Sequence, residues 1–171
     1  MNIVIRKPDS DDILPIHNLI QINSSRGHFL PGRTYHVLQA CFTNQYFEGQ
    51  ATVRVAVNDH DPFCPPEFAG FYLLTQSDKS MRGDGRGEGI TGAKDAQEIF
   101  LMAVEDYFQK KGVGKLLLQD AINQFQETRW AKYLVARTHR GISTRMEYLL
   151  TKSNFILFRE EEKLNIWGIK K

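Results

Sequence analysis

Residues 96 to 114 read AQEIFLMAVEDYFQKKGVG, and the fold turns on how this stretch divides. AQEIFLMAV is apolar enough for a central strand, and EDYFQKK makes a connection. Gly112-Val113-Gly114 then opens a run in which Val113, Leu116, Leu117, Ala121, Ile122 and Phe125 recur at helical spacing. Glycine lets a backbone take positive φ and approach another group closely. The first helical turn leaves N–H groups unpaired. An anion placed there gains those donors and the favourable end of the helix dipole. Lys110, Lys111 and Lys115 add positive charge, so the turn can hold a phosphate. It lacks the GxxxxGK[ST] pattern of a nucleoside-triphosphate loop and the GxGxxG pattern of a dinucleotide site. Two glycines around one valine suit an ordinary helix start as well.

The flanking sequence extends the same alternation. NIVIR (2–6) reads as a first strand. Pro8-Asp9-Ser10-Asp11-Asp12 supplies a turn and a helix cap, and Ile13, Ile16, Leu19 and Ile20 mark a helix to about residue 22. A second helix is expected over 34–47, with Val37, Leu38, Cys41 and Phe42 on one side. ATVRVAV (51–57) alternates as a strand does, with Thr52, Arg54 and Ala56 on the second face. FAGFYLLTQ (68–76) is its expected antiparallel neighbour. Residues 77–95, SDKSMRGDGRGEGITGAKD, carry five glycines and many charges and read as a mobile surface loop. KYLVART (132–138) is a further strand, 143–152 a helix with Met146, Leu149 and Leu150 inward, and FILFREE and LNIWGIK closing strands. This order describes a single α/β domain spanning residues 1–171.

Composition limits the function classes. With 42% hydrophobic and 25% charged residues, the chain is a globular protein rather than a disordered one. Nothing approaches the roughly 18 uncharged apolar residues of a membrane span, and MNIVIRKPDSDD reads as strand and loop, not as a secretion signal. A net charge of +2 and the lack of interleaved basic and aromatic residues argue against nucleic acid. Two cysteines, Cys41 and Cys64, point to a cytoplasmic location. The five histidines have no metal-site spacing, and His60 with Cys64 gives too few ligands for zinc.

Taken together, Glu98 to Val104 and Gln109-Lys110-Lys111-Gly112-Val113-Gly114 resemble the core of the GCN5-related N-acetyltransferase superfamily. There a strand ending in valine leads through a short connection to Q/R-x-x-G-x-G/A at the start of a long helix. STRMEYLLTKSNF (143–155) resembles that family's second region, N-x-x-A-x-x-L-Y-x-K-x-G-F, through Leu149, Lys152 and Phe155. Ser143, Met146, Leu150 and Asn154 depart from it. The resemblance implies a mixed, mostly antiparallel sheet with a splayed central parallel strand pair flanked by helices. It implies acetyl-coenzyme A, or another acyl-coenzyme A, as donor. The pyrophosphate would sit on the amides of Gln109 to Gly114, beside Lys115, and the pantetheine arm along Leu101 to Val104. An amide near Met102 or Ala103 would polarise the thioester carbonyl.

Acyl transfer to an amine needs a neutral amine, an N–H donor for the carbonyl oxygen, and sometimes a proton for the leaving thiolate. The resemblance makes Glu98 the candidate base. The family's tyrosine acid falls on Leu150, which has no proton to give. Tyr148 is the candidate substitute, although two helical steps turn a side chain by about 200°. Tyr107 and His139 are alternatives. The acceptor, an amine-bearing small molecule or protein, is expected over INSSRGHFLPGR (22–33), where Phe29 and Leu30 suit an apolar pocket and Arg26 or His28 an anionic group. A homodimer through the late strands, with Trp167 exposed, is compatible with the sequence. The competing functions are a fold relative that binds an acyl-coenzyme A without turnover and a nucleic-acid-associated domain.

Overall fold

The computed structural model describes residues 1–29, 32–46, 49–60, 63–76 and 95–171. The glycine-rich stretch at 77–95 lies, apart from Asp95, outside them, as does Leu30. In chain order the elements are β1 (Ile3–Arg6), α1 (Ile13–Ser25), α2 (Arg33–Thr43), β2 (Gln45–Tyr46), β3 (Gly49–Asn58), β4 (Glu67–Gln76), β5 (Ala96–Val104), α3 (Val113–Glu127), β6 (Tyr133–His139), α4 (Thr144–Lys152), β7 (Ile156–Glu160) and β8 (Leu164–Lys170). The sheet runs β1-β3-β4-β5-β6-β8-β7, with β2 beside β3. Every pair is antiparallel except β5 with β6, which is parallel. A parallel pair needs a crossover, and α3 supplies it.

The two faces of the sheet are covered by different helices. On one face α1 and α2 contribute Ile16, Leu19, Ile20, Val37 and Ala40, which meet Val53, Val55, Phe71, Leu73, Leu101 and Ala103. On the other, α3 contributes Val113, Leu117, Leu118, Ala121, Ile122 and Phe125, packed with Ile99, Leu134, Ala136 and Leu150. Burying each large apolar side chain stabilises the fold by about 1.5–3 kcal/mol relative to exposure. The Tyr72 hydroxyl donates to Asp120 Oδ2 at 2.6 Å, which ties α3 to β4 through a satisfied buried polar group.

Several expectations need correction. Leu116 is 45% exposed, because Leu118 takes the inward position on α3 beside Leu117. Phe42 is exposed on α2 while Ala40 is buried. That helix stops at Thr43, where Asn44 takes a left-handed φ of 52° and leads into β2. Trp167 is not an exposed aromatic. It packs against the α3-side core, and its Nε1 donates to Thr138 Oγ1 at 3.0 Å. Among the described residues no helix is long and apolar enough to cross a membrane.

Candidate active site

The walls of the site come from strand pairing that stops early. Parallel register between β5 and β6 covers only Ala96↔Tyr133, Gln97↔Leu134, Glu98↔Val135 and Ile99↔Ala136. β5 continues to Val104 on β4, with Gly70↔Val104 its last pair. β6 continues to His139 on β8, with His139↔Leu164 its last pair. The register of β5 shifts at Leu73 and Leu74, which face Leu101 and Ile99 and leave Phe100 as an extra residue. Such a bulge bends its strand and increases local twist. The strands therefore part beyond Ile99 and Ala136, each held by an outer neighbour. From Leu101 to Val104, β5 therefore runs on past its last pair with β6. Met102, Ala103 and Val104 stand on this wall. Met102 and Val104 lean toward the α3 core and Ala103 toward the α1 and α2 core.

A helix start closes one end of the splay. Gly112 caps α3 in the left-handed region at φ 89°, with no side-chain cap. Lys110 is also left-handed at φ 62°. The first N–H of α3 to meet a helical carbonyl is that of Leu116, bonded to Gly112 O at 3.1 Å. The preceding amides of Val113, Gly114 and Lys115 have no carbonyl one turn back to pair with. A Cβ on Gly114 would lie 3.3 Å from Leu149 Cδ1, so glycine also brings α4 close to this turn.

Charged side chains knit the turn to both flanking helices. Arg26, at the end of α1, grips Asp106 through two bonds of 2.9 and 2.7 Å. The Arg26 hydrogen bond holds the Asp106 carboxyl below its ordinary range. Gln109 Nε2 donates to Asp106 Oδ1 at 2.8 Å, and Gln109 Oε1 accepts from Arg145 Nη1 of α4 at 2.5 Å. Lys111 Nζ lies 3.4 Å above the Tyr107 ring. Arg26 is thus committed to Asp106 rather than offered to an acceptor. Sequence reading missed Asp106 and Arg145, because neither lies in a motif position; the i, i+3 spacing of Asp106 and Gln109 was the available signal.

The α1 and α2 face of the sheet carries a second charged group. Glu98 is 1% exposed, and its Oε1 accepts from Arg137 Nε at 2.7 Å. Alternation puts Val135, Arg137 and His139 on the α1 and α2 face of β6. Thr138 points the other way and donates to Glu147 Oε1 at 2.7 Å. His139 is half-buried. Burial first, and then the neighbouring His28 from the end of α1, hold its imidazole below the ordinary histidine range. Arg137 was missed from sequence because its strand reads as plain alternation.

The expected acid positions fall apart in space. Leu150 is fully buried in the α3-side core, while Tyr148 is 63% exposed with Lys152 Nζ 5.7 Å from its ring centroid. Ser143 does not cap α4 with its side chain; its Oγ accepts from the His139 N–H at 3.2 Å. Among the described residues no three His, Cys, Asp or Glu side chains gather as metal ligands.

No protein-family model matches the chain, and no curated protein matches it in sequence. Solved structures do match in shape. NAA60 of Arabidopsis thaliana in complex with acetyl-CoA superposes with a TM-score of 0.72 at 15% identity, covering 99% of this chain and 98% of that one. The PaiA N-acetyltransferase of Thermoplasma acidophilum in complex with coenzyme A gives 0.70 at 16% identity over 100% of both chains. The ribosomal-protein-S18-alanine N-acetyltransferase of Escherichia coli gives 0.63 at 14% identity, over 99% of this chain and 94% of that one. At such identities the likeness establishes the fold alone.

Proposed function

We propose that this chain, which has the fold of the GCN5-related N-acetyltransferases, moves an acetyl or other short acyl group from acyl-coenzyme A to a primary amine. One observation carries the reading. The parallel pair opens beyond Ile99↔Ala136, and the β5 wall leads on to an uncapped helix start at Gly112. The slot past the last β5–β6 pair suits an amide-containing arm, and the helix start offers N–H groups to a diphosphate. Gln109 to Gly114 would hold that diphosphate, with Lys110, Lys111 and Lys115 as electrostatic aids. Met102, Ala103 and Val104 would line the arm.

The thioester is already activated, so the amine can attack directly in a ternary complex. Glu98 places a carboxylate on the acceptor face. As the candidate base it is held by the bond that its Oε1 accepts from Arg137 Nε. Tyr148 lies too far round α4 to replace the hydroxyl missing at Leu150, and the thiolate can leave without a tyrosine donor. A coenzyme thiol is a fair leaving group near neutral pH. Titration calorimetry with acetyl-CoA tests the reading: saturable heat at or below millimolar ligand supports it, and no heat at that level overturns it. Leu150 favours one second reading, a protein that binds the donor without turnover. Release of free thiol in the presence of an amine separates the two.

A further inference from the structure

A second opening lies near the β1 edge of the sheet. β1 pairs with β3 only from Val55 onward, with Arg6↔Val55 the last pair, and β2 pairs with β3 only at Gly49 and Gln50. Ala51 to Arg54 lie between these two ladders. A recess of about 560 Å³ occupies the interval, lined among others by Val53 and Arg54 of β3, Lys7 and Pro8 after β1, and Gln124 of α3. No Asp or Glu lines it among the described residues. Gln124 stands about 18 Å along α3 from Gly112, at 1.5 Å per residue. The recess is therefore separate from the helix start proposed for the donor.

Arg54 is the group left incomplete. It pairs across the ladder with fully buried Tyr72. Its Nε is buried and has no hydrogen-bond partner. Its Nη2 reaches Gln124 Oε1 only at 3.4 Å, which is long for such a bond. A buried donor without a partner carries its full desolvation cost. Among the described residues neither Arg54 nor Lys7 forms an ion pair. The carboxylates on either side are engaged elsewhere. Asp120 accepts from the Tyr72 hydroxyl at 2.6 Å, and Asp12 accepts from Arg6 at 2.6 and 3.1 Å. The C-terminal ends of α2 and α3 each add about half a negative charge, together less than the two full positive charges.

We infer that this recess binds a small organic carboxylate. On a guanidinium, Nε–H and one Nη2–H point along the same edge, and a carboxylate takes both at once. The ligand's oxygens replace Gln124 Oε1 at Nη2 and supply the partner that Nε lacks. Lys7 is exposed and adds a solvated point charge. The recess far exceeds the share of about 30 Å³ that one water takes in the liquid, so it holds a carbon body as well as a charge. Val53 and Pro8 give that body apolar surface. This inference stands without the acyl-transfer reading.

The test follows the Arg54 Nε–H by nitrogen–proton NMR in the full chain, the signal being assigned by its loss in Arg54→Gln. Acetate, succinate and 2-oxoglutarate are titrated at constant ionic strength, against sodium chloride and inorganic phosphate. At least one carboxylate should move the signal saturably in the millimolar range. Arg54→Lys keeps the charge but not the fork, and should weaken binding about tenfold or more, read by calorimetry. Lys7→Gln, at an exposed position, should weaken it about two- to five-fold. Acetyl-CoA should leave the carboxylate's affinity unchanged. Shifts that rise linearly with every salt alike overturn the inference, as does binding that survives Arg54→Lys undiminished. Equal affinity for phosphate overturns the carboxylate assignment, and competition by acetyl-CoA overturns the separation from the donor slot.

Discussion

Glu98 and Arg137 meet at 2.7 Å across β5 and β6, immediately where the two strands begin to part. Their side chains are 2% and 15% exposed, so water screens the pair little. Removing one partner leaves a buried charge to be solvated, which costs about 3–5 kcal/mol. Replacing both by apolar residues of similar volume is often neutral. Glu98→Leu and Arg137→Met should each lower the urea midpoint clearly, and the double variant should recover most of the loss. Single variants within about 1 kcal/mol of wild type would show that the charges are solvated in solution.

Gly70 makes a second prediction at the heart of the sheet. A Cβ there would lie 2.5 Å from the carbonyl oxygen of Ala103 and 3.3 Å from Leu117 Cδ1. The nearest atom is backbone and cannot swing aside. Gly70→Ala should cost about 1–3 kcal/mol as an overpacked substitution. For a chain of this size that is about 2–4 °C in Tm per kcal/mol. Calorimetric melting checks it, and an unchanged Tm would mean that β4 and β5 slide apart freely.

At the helix start, geometry and the proposed donor site can be tested together. Gly112 has φ 89° with open space around its Cβ direction, so strain is the whole penalty. Gly112→Ala should cost about 1–2 kcal/mol in stability and weaken acetyl-CoA binding several-fold. Gly114→Ala meets Leu149 at 3.3 Å and should displace α4 from the turn. Calorimetry with acetyl-CoA reads both effects, and unchanged affinity in both variants would remove this turn from the donor site.

Cys41 gives a pH-dependent prediction. Burial, and then the charge of Asp12, push its thiol up to about 11. Only the thiolate alkylates, and at pH 8 about one Cys41 in a thousand is ionised on that value. Iodoacetamide should label exposed Cys64 first, and the Cys41 rate should still be climbing roughly tenfold per pH unit at pH 9. Peptide mass spectrometry over time checks this, and equal rates at pH 8 would count against the packing of α2.

Much of this fold was legible because the sequence alternates its patterns cleanly. AQEIFLMAV is β5 from end to end, and the glycine turn opens α3 at Val113 as read. The antiparallel pairing of β3 with β4 followed from plain alternation in ATVRVAV. Helix ends were less visible. Asn44 ends α2 through its own φ, a property that apolar spacing does not carry. Arg137, Asp106 and Arg145 were missed for another reason. Each gains its meaning from a partner on a different element, such as Glu98 for Arg137 and Gln109 for Arg145. Periodicity reports which face a residue occupies, not whom it meets there.

The early end of the β5–β6 ladder has a wider consequence. A gap set by where two strands stop pairing is written in shape, not in letters. Amides and carbonyls are common to almost every residue, so side chains along such a gap can be exchanged while its hydrogen-bonding outline persists. That accounts for how a chain can share a TM-score of 0.72 with another while agreeing at 15% of positions. The donor's seat would be the constant of such a scaffold. The individuality of this chain would reside in the side chains facing it, Glu98, Arg137, His28 and His139.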